Sequence, residues 1–421
     1  MAETAVWAEV RIWHLLVGAV AETEDGQVTF EYDPGFRRHV LELSPLMLPL
    51  STEGPITFPE LHRLEAFQGL PGVLADALPD RFGNAVIKKY FSDRGRPDDA
   101  MRPVQKLLYI GERAMGALEF HPPTKIRRVA ERESLEIAEL VEQARVVIEG
   151  RPEVGIPEMM RVGASAGGAR AKALILWNRA AEEVRSGFAL PREGDEHWMI
   201  KFDGVGELGE PDSTPKPFNR IEFVYSRLAR DAGITMPETR LLEEHGRGHL
   251  LVKRFDRSET ERLHLHSLGG LHHIDYNSPG LFSYEQFLRT ILALGLDYRA
   301  MEQAYRRAVF NIVAVNQDDH VKNISFLMDR RGTWQFSPAY DLTFARGTGY
   351  TRHHQMTLNG KRDDFTREDL LELGGAFGIK RDGKDVIDEV VEAMSGWEEY
   401  AREARVPAAS IRSIGEQFRL L

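Results

Sequence analysis

Cysteine is absent from the 421 residues, which excludes disulfides, thiolate-bound zinc and a cysteine nucleophile and leaves no requirement for an oxidising compartment. Long apolar runs are missing too. No stretch approaches the ~18 residues a membrane helix needs, and the opening "MAETAVWAEVRIW" has no basic segment followed by an apolar one. A cytoplasmic protein without membrane contact is the expectation. A positive surplus is also lacking: the formal net charge is -11, which argues against a surface-wide nucleic-acid binder, because phosphate neutralisation drives non-specific attraction to DNA. Internal repeats and low-complexity tracts are not apparent.

What is present is globular in kind, with 42% hydrophobic and 28% charged residues. The chain is too long for one ordinary core. "VRIWHLLVGAVAETEDGQVTFEYD" reads as two apolar runs broken by Asp25-Gly26, a hairpin signal, and "GVLADALPDRFGNAVIKKYF" as helix on both sides of a Pro-Asp turn. These form a small α+β module over 1–125. A turn-rich basic stretch and a helix stopped by Gly150 open a β-rich part over 126–260. Helices dominate 261–421.

The segment "NQDDHVKNISF", residues 316 to 326, concentrates polar groups between apolar walls. The helix before it carries Met301, Tyr305, Ala308, Ile312 and Val315 at helical spacing. After it, "ISFLMD", "RRG" and "TWQFSP" read as a hairpin leading to "AYDLTF". Asp318 and Asn323 are thus five positions apart, and Asp341 follows a hairpin. Phosphoryl transfer uses these parts: an Asp that takes the hydroxyl proton, an Asn that holds a metal, and a later Asp that bridges Mg²⁺ to the phosphates. Mg²⁺ takes few protein oxygens beside phosphate oxygens, so Asn323 and Asp341 would suffice. The plain alternative is an acidic turn capping nearby helices. Asp319 rivals Asp318 as the base, but its spacing to Asn323 is only four.

A nucleotide site would require further groups upstream. "VGASAGGARAKALI" places Gly163, Gly167 and Gly168 among small residues, so backbone N–H groups could approach phosphate, although such runs are mostly turns. "HWMIKFDG" alternates as a strand with Lys201 between apolar neighbours, wanting a phosphate or a carboxylate unless the strand is an edge facing water. In "PFNRIEFVYSRLARDAG", Glu222 lies on an apolar helix stripe before Gly233, and either Lys201 or solvent would meet its charge. "HLLVKRFDR" runs from a strand into Lys253, Arg254 and Phe255, a place where a hinge could offer backbone groups to an adenine. The order of these parts is that of a two-lobed kinase.

On "SAGGARAK", "IKF", "VKRFDR", "DDHVKN" and "AYD", with "LADALPDRFGN" in the amino-terminal module, the chain resembles the HipA family, serine/threonine kinase toxins of bacterial toxin/antitoxin pairs. The resemblance runs nearly end to end. It implies a two-lobed protein-kinase-like α+β fold with a small amino-terminal α+β module and a mainly helical carboxy-terminal lobe. It further implies ATP and Mg²⁺ as cofactors, Asp318 as base, Asn323 and Asp341 as metal ligands, and Lys201 on the phosphates. Lys253, Arg254 and Phe255 would form the adenine hinge. His320, Val321 and Lys322 would line the nucleotide, with Tyr340 before the metal Asp. Gly167, Gly168, Ala169, Arg170, Ala171 and Lys172 would cover the phosphates, and Ser165 would be a self-modification site that ejects this loop. Implied partners are a protein substrate such as an aminoacyl-tRNA synthetase, and a small helix-turn-helix antitoxin of HipB type through which DNA is met indirectly.

Two segments depart from the best-known members: "HSLGGLHHIDYNSPGLFSYEQF", and the hairpin extension from Asn178 to Gly187. Both bear on substrate choice. His264, His266, His272 and His273 fit no common zinc spacing and read as loop and core histidines. Other readings of the chain are a small-molecule or lipid kinase and a non-catalytic regulator that binds a DNA-bound antitoxin.

Overall fold

The computed structural model describes residues 5–92, 101–124, 135–149, 170–205, 217–258 and 261–421. The chain divides into two compact units: Met1–Lys216, Leu242–Leu265 and Asp329–Gly332 make the first, and Pro217–Leu241, His266–Met328 and Thr333–Leu421 the second. Both helices and sheets are present, so the class is α+β as the sequence predicts.

In the first unit, β1 (Val6–Ile12), β2 (Leu15–Glu22), β3 (Val28–Tyr32) and β4 (Leu118–His121) form an antiparallel sheet in the order β3-β2-β1-β4. Period-two alternation puts Ala8, Val10 and Ile12 fully inside. Gly26, at φ 83, lies in the β2–β3 connection where the Asp-Gly signal predicts it. The sequence reading differs at one point: its first apolar run is two strands, not one. The break falls at Trp13 and His14, both at positive φ (46 and 70), a left-handed two-residue turn made without the Asn or Gly that usually announces one.

The short helix α1 (Gly72–Ala75), α2 (Arg81–Ser92), α3 (Pro103–Ile110) and α4 (Ile137–Glu149) also belong to this unit. A second sheet is built from β5 (Lys172–Asn178), β6 (Glu183–Ser186), β7 (Asp195–Lys201), β8 (Thr239–Glu244) and β9 (Arg247–Lys253), in the order β6-β5-β7-β9-β8. β5 and β6 are the hairpin extended by Asn178 to Gly187. Ala173 through Leu176 of β5 are all buried, as befits a strand covered on both faces.

The second unit begins with α5 (Phe218–Asp231), which ends before Gly233 at φ 75. Next come β10 (His264–Ser267), α6 (Leu268–His272), α7 (Tyr284–Ala293) and α8 (Tyr298–Val313). The hairpin of β11 (Ser325–Met328) and β12 (Trp334–Phe336) then leads on to α9 (Arg367–Ala376), α10 (Lys384–Ala393), α11 (Trp397–Glu403) and α12 (Ala408–Gly415). Ser283 caps α7 by accepting from Gln286 N at 3.1 Å, and Asp297 caps α8 by accepting from Ala300 N at 2.9 Å. Tyr225 of α5 packs edge-on against Phe310 and Trp397, and its hydroxyl donates to Ala314 O at 2.7 Å where α8 ends. The end of the helix that leads into residues 316–326 is therefore fixed by a buried hydrogen bond.

His264, His266, His272 and His273 are packed as the sequence predicts, with His264, His266 and His273 buried. The Nε2 of His272 lies 2.8 Å from Thr290 Oγ1 and its ring rests against Phe282. Burial, and after it the neighbouring His266, push His272 from 6.5 down to about 4. The unfolded chain takes up a proton near 6.5 and the folded one resists until about 4, so this contribution to stability is present above 6.5 and is lost as pH falls toward 4. His272→Gln should therefore flatten the acid limb of the stability curve by on the order of 2 kcal/mol between pH 7 and pH 4.5, read by urea unfolding at a series of pH values. An unchanged acid limb would show that His272 is not the titrating group.

Candidate active site

Helix α8 ends at Ala314, and Val315 follows at φ 56. A β-branched residue there is strained. That left-handed step is held by its neighbours: Asn316 N donates to Asn311 O at 2.9 Å, and Asn316 Nδ2 donates to Asn311 Oδ1 at 2.9 Å. Gln317 N donates to Ala345 O at 2.9 Å. The loop is thus tied at once to the helix behind it and to the chain beyond Asp341.

The two neighbouring acids have opposite surroundings. The Asp319 side chain is fully buried and takes three donors: Tyr284 Oη at 2.5 Å, His354 Nδ1 at 2.9 Å and Gln355 N at 2.6 Å. Burial by itself would raise its carboxyl, but His354, Tyr284 and the Gln355 N–H outweigh burial and hold it below the usual carboxylate range. The Asp318 side chain is 38% exposed, with His320 Nε2 at 3.7 Å. Only Asp318 can meet a substrate hydroxyl without dismantling a buried network.

A 3-10 turn, Val321–Asn323, carries the loop into β11. Asn323 N donates to His320 O at 2.9 Å, and Asn323 Nδ2 donates to Asp318 O at 3.1 Å. Spending the amide nitrogen on the backbone fixes the flip and directs the amide oxygen elsewhere. The Tyr340 hydroxyl lies 2.5 Å from Ser325 Oγ and donates to Lys322 O at 2.9 Å, pinning the residue before Asp341 to the loop. Asp341 itself sits at φ 53, a left-handed conformation that Asp tolerates better than most residues.

Asn323, Tyr340 and Asp341 line one small cavity of about 10 Å³ together with Arg307, Asn311, Asn316, Asp319 and His320. Among the residues lining it, Asn316 Oδ1, His320 Nδ1, and Nε and Nη1 of Arg307 are buried polar atoms without a hydrogen-bond partner. Orphans of this kind are normally met by water, an ion or a ligand. The Arg307 guanidinium lies 3.7 Å above the Phe336 ring centroid and donates to Ser337 O, and burial pushes it down to about 9. No group of three or more His, Asp or Glu is gathered as a metal site among the described residues. One carboxylate and one amide oxygen on a shared cavity nevertheless fit Mg²⁺, which takes its remaining ligands from phosphate and water.

Most of the other nominated residues lie in the first unit. Lys201 is buried and ends β7, a strand with neighbours on both sides, so the edge-strand alternative falls. Lys172 stands directly opposite Lys201 in the β5–β7 register, and its ammonium is 3.0 Å from Asp80 Oδ2. Arg170 and Ala171 lead into β5, with Ala171 O accepting from Phe202 N at 3.0 Å. At the nominated hinge, Lys253 Nζ meets Glu196 Oε1 at 2.6 Å. Arg254 is clamped by two bonds to buried Asp256, and its N–H donates to His197 O at 2.9 Å. That leaves the Arg254 side chain structural. Glu222, buried on α5, belongs to the second unit. Ser165, Gly167, Gly168 and Ala169 lie outside the described residues.

Sequence reasoning missed Tyr284, His354 and Gln355, the residues that hold Asp319. "RHHQM" carries no local signal of this role, because the partner of His354 lies 35 positions away.

An exposed acid, Asp318, stands five residues before Asn323, and Asn323 shares a cavity with Asp341 beyond a hairpin, the arrangement of a kinase-like protein. Comparison with known proteins agrees. The family model described as HipA-like C-terminal domain matches residues 164–397, and the HipA N-terminal domain matches 8–121. The chain therefore belongs to the HipA family. A Sinorhizobium fredii protein named "Putative kinase Y4dM" is 23% identical over 351 residues, covering 79% of this chain and 76% of that one. A Haemophilus influenzae protein named "Putative kinase" is 23% identical over 265 residues, 53% of this chain and 76% of its own. Among solved structures, HipA from a Shewanella oneidensis complex of HipA, HipB and operator DNA superposes with a TM-score of 0.66 at 16% identity, over 97% of this chain and 95% of that one. The shared fold is protein-kinase-like.

The environments of the two acids generate a test that needs no activity. Asp319→Ala should cost the second unit about 3 kcal/mol, because it removes the acceptor of three buried donors, whereas Asp318→Ala should cost less than about 1 kcal/mol. Denaturant unfolding of the two variants decides this, and equal costs would contradict the assignment.

Proposed function

We propose that this protein is an ATP-dependent protein serine/threonine kinase of the HipA toxin type. The observation that carries the reading is the contrast within the loop: Asp319 is sealed by three donors, while Asp318 is exposed five residues before Asn323, which shares a cavity with Asp341. In the proposed reaction the substrate hydroxyl oxygen forms a bond to the γ-phosphorus of ATP, the bond from that phosphorus to the β–γ bridging oxygen breaks, and ADP departs. Asp318 takes the hydroxyl proton. Asn323 and Asp341 would hold Mg²⁺, which supplies neutralisation of charge on the phosphate oxygens. Lys201 meets the phosphates, and His320, Val321, Lys322 and Tyr340 shape the nucleotide side of the loop.

The finer parts of the proposal rest on family membership. The target is a cellular protein such as an aminoacyl-tRNA synthetase, whose modification would arrest translation. A helix-turn-helix antitoxin is the proposed partner, because the superposing Shewanella HipA is found with HipB and operator DNA. DNA would be met only through that partner. Ser165 is the proposed site of self-modification: a phosphate there adds about -1.5 to -2 charges near the nucleotide's own phosphates and favours loop ejection.

With purified protein, Mg-ATP and a synthetase substrate, Asp318→Asn should lower phosphoryl transfer by at least about 100-fold while leaving nucleotide affinity within about threefold. Asp341→Asn should weaken Mg-ATP binding as well. Wild-type turnover in Asp318→Asn would remove the base assignment. Mass spectrometry should find phosphate on Ser165 in the active protein and none in Asp318→Asn, and full ATP binding by the Ser165-modified protein would refute self-silencing.

A further inference from the structure

The amino-terminal motif "LADALPDRFGN" is not used by the reaction above, yet its aspartate reaches the start of the nucleotide-side strand. Asp80 precedes α2 and caps it: Oδ1 accepts from Gly83 N at 2.6 Å, and the backbone carbonyl accepts from Asn84 N at 2.8 Å. Its other oxygen, Oδ2, lies 3.0 Å from Lys172 Nζ, and both side chains are 3% exposed. One buried carboxylate therefore does two jobs, with one oxygen on a helix end and the other on a lysine 92 positions later.

Lys172 stands at a demanding place. It opens β5 directly opposite Lys201 on β7, and directly opposed residues of an antiparallel pair project from the same face. Both lysines are buried, at 3% and 7% exposure. Two ammonium groups so placed repel, and burial strengthens the repulsion. A buried charge requires a partner, and for Lys172 that partner is Asp80. Burial outweighs Lys172 and the Gly83 N–H and leaves the Asp80 carboxyl raised, so its charge in this setting depends on the adjacent Lys172.

We propose that Asp80 is a positioning residue for nucleotide binding: by compensating Lys172 and tethering the start of β5 to α2, it keeps the opposed Lys201 set for the nucleotide phosphates. This gives the amino-terminal module a part in the proposed reaction, and it rests on the reading that Lys201 meets those phosphates. Asp80 acts through Lys172 and touches no reacting atom.

Asp80→Asn isolates the electrostatic role, because the asparagine oxygen still caps α2. In the full-length protein, with binding of Mg-ATP followed by titration calorimetry, Asp80→Asn should weaken affinity about tenfold and raise the KM for ATP alike, with kcat at saturating ATP changed less than about twofold. A capping or folding defect would not give that split, and circular dichroism checks that the variant is folded. Lys172→Gln and the double variant complete a cycle, in which the double variant should bind no more weakly than the poorer single. Lys201→Gln separates the two layers of the argument. If Lys201→Gln leaves affinity untouched, the phosphate reading of Lys201 fails and the role of Asp80 falls with it. If Lys201→Gln abolishes binding while Asp80→Asn binds as wild type or more tightly, or if the cycle is additive, the inference about Asp80 alone is overturned.

Discussion

The candidate site depends on one buried carboxylate, Asp319. It accepts from Tyr284 on α7, from His354, and from the backbone of Gln355, so two separate stretches of the second unit converge on it. Gln355 extends the tie by donating its side-chain amide to Gln317 O at 2.9 Å. The segment that follows Asp341 is thereby pinned to the loop that carries Asp318. A charge this deep is tolerated only because each donor is in place. The same requirement makes the network a rigid frame for its exposed neighbour.

Compensated buried charge recurs through the molecule. Asp256 accepts from both Arg254 and Arg257 and from Gly116 N, and although burial opposes ionisation, the two guanidinium groups hold its carboxyl far below the usual range. Asp195 pairs with buried Arg185, and Asp80 with Lys172. Of these contacts, Gly116 with Asp256 and Asp80 with Lys172 join segments far apart in the chain. Arg307, Asn316 and His320, which line the cavity, retain buried polar atoms without a hydrogen-bond partner, and water or a ligand would meet them.

Much of the fold was legible. The Asp-Gly turn between β2 and β3, the helices on each side of Pro79-Asp80, the Lys201 strand, α5 with its Gly233 stop and the hairpin of β11 and β12 all stand where periodicity and turn chemistry put them. Those signals are local, and local rules read them. The turn at Trp13 and His14 was not legible, because nothing in those side chains favours positive φ; pairing of β1 with β2 imposes it. Of the site, Asp318, Asn323 and Asp341 could be nominated from spacing. The choice between Asp318 and Asp319 rested on a one-residue difference in that spacing.

The sequence by itself determined the class of fold, the order of the parts and the residue types that phosphoryl transfer requires, since each is written in short-range pattern. Tertiary structure decided which acid is exposed and which is sealed, and that Lys172 and Lys201 face each other with Asp80 as counter-charge. Those outcomes rest on pairs 35, 29 and 92 residues apart. Burial and partnership set the state of an ionisable group, and both are properties of what packs around it, which no local stretch of chain contains.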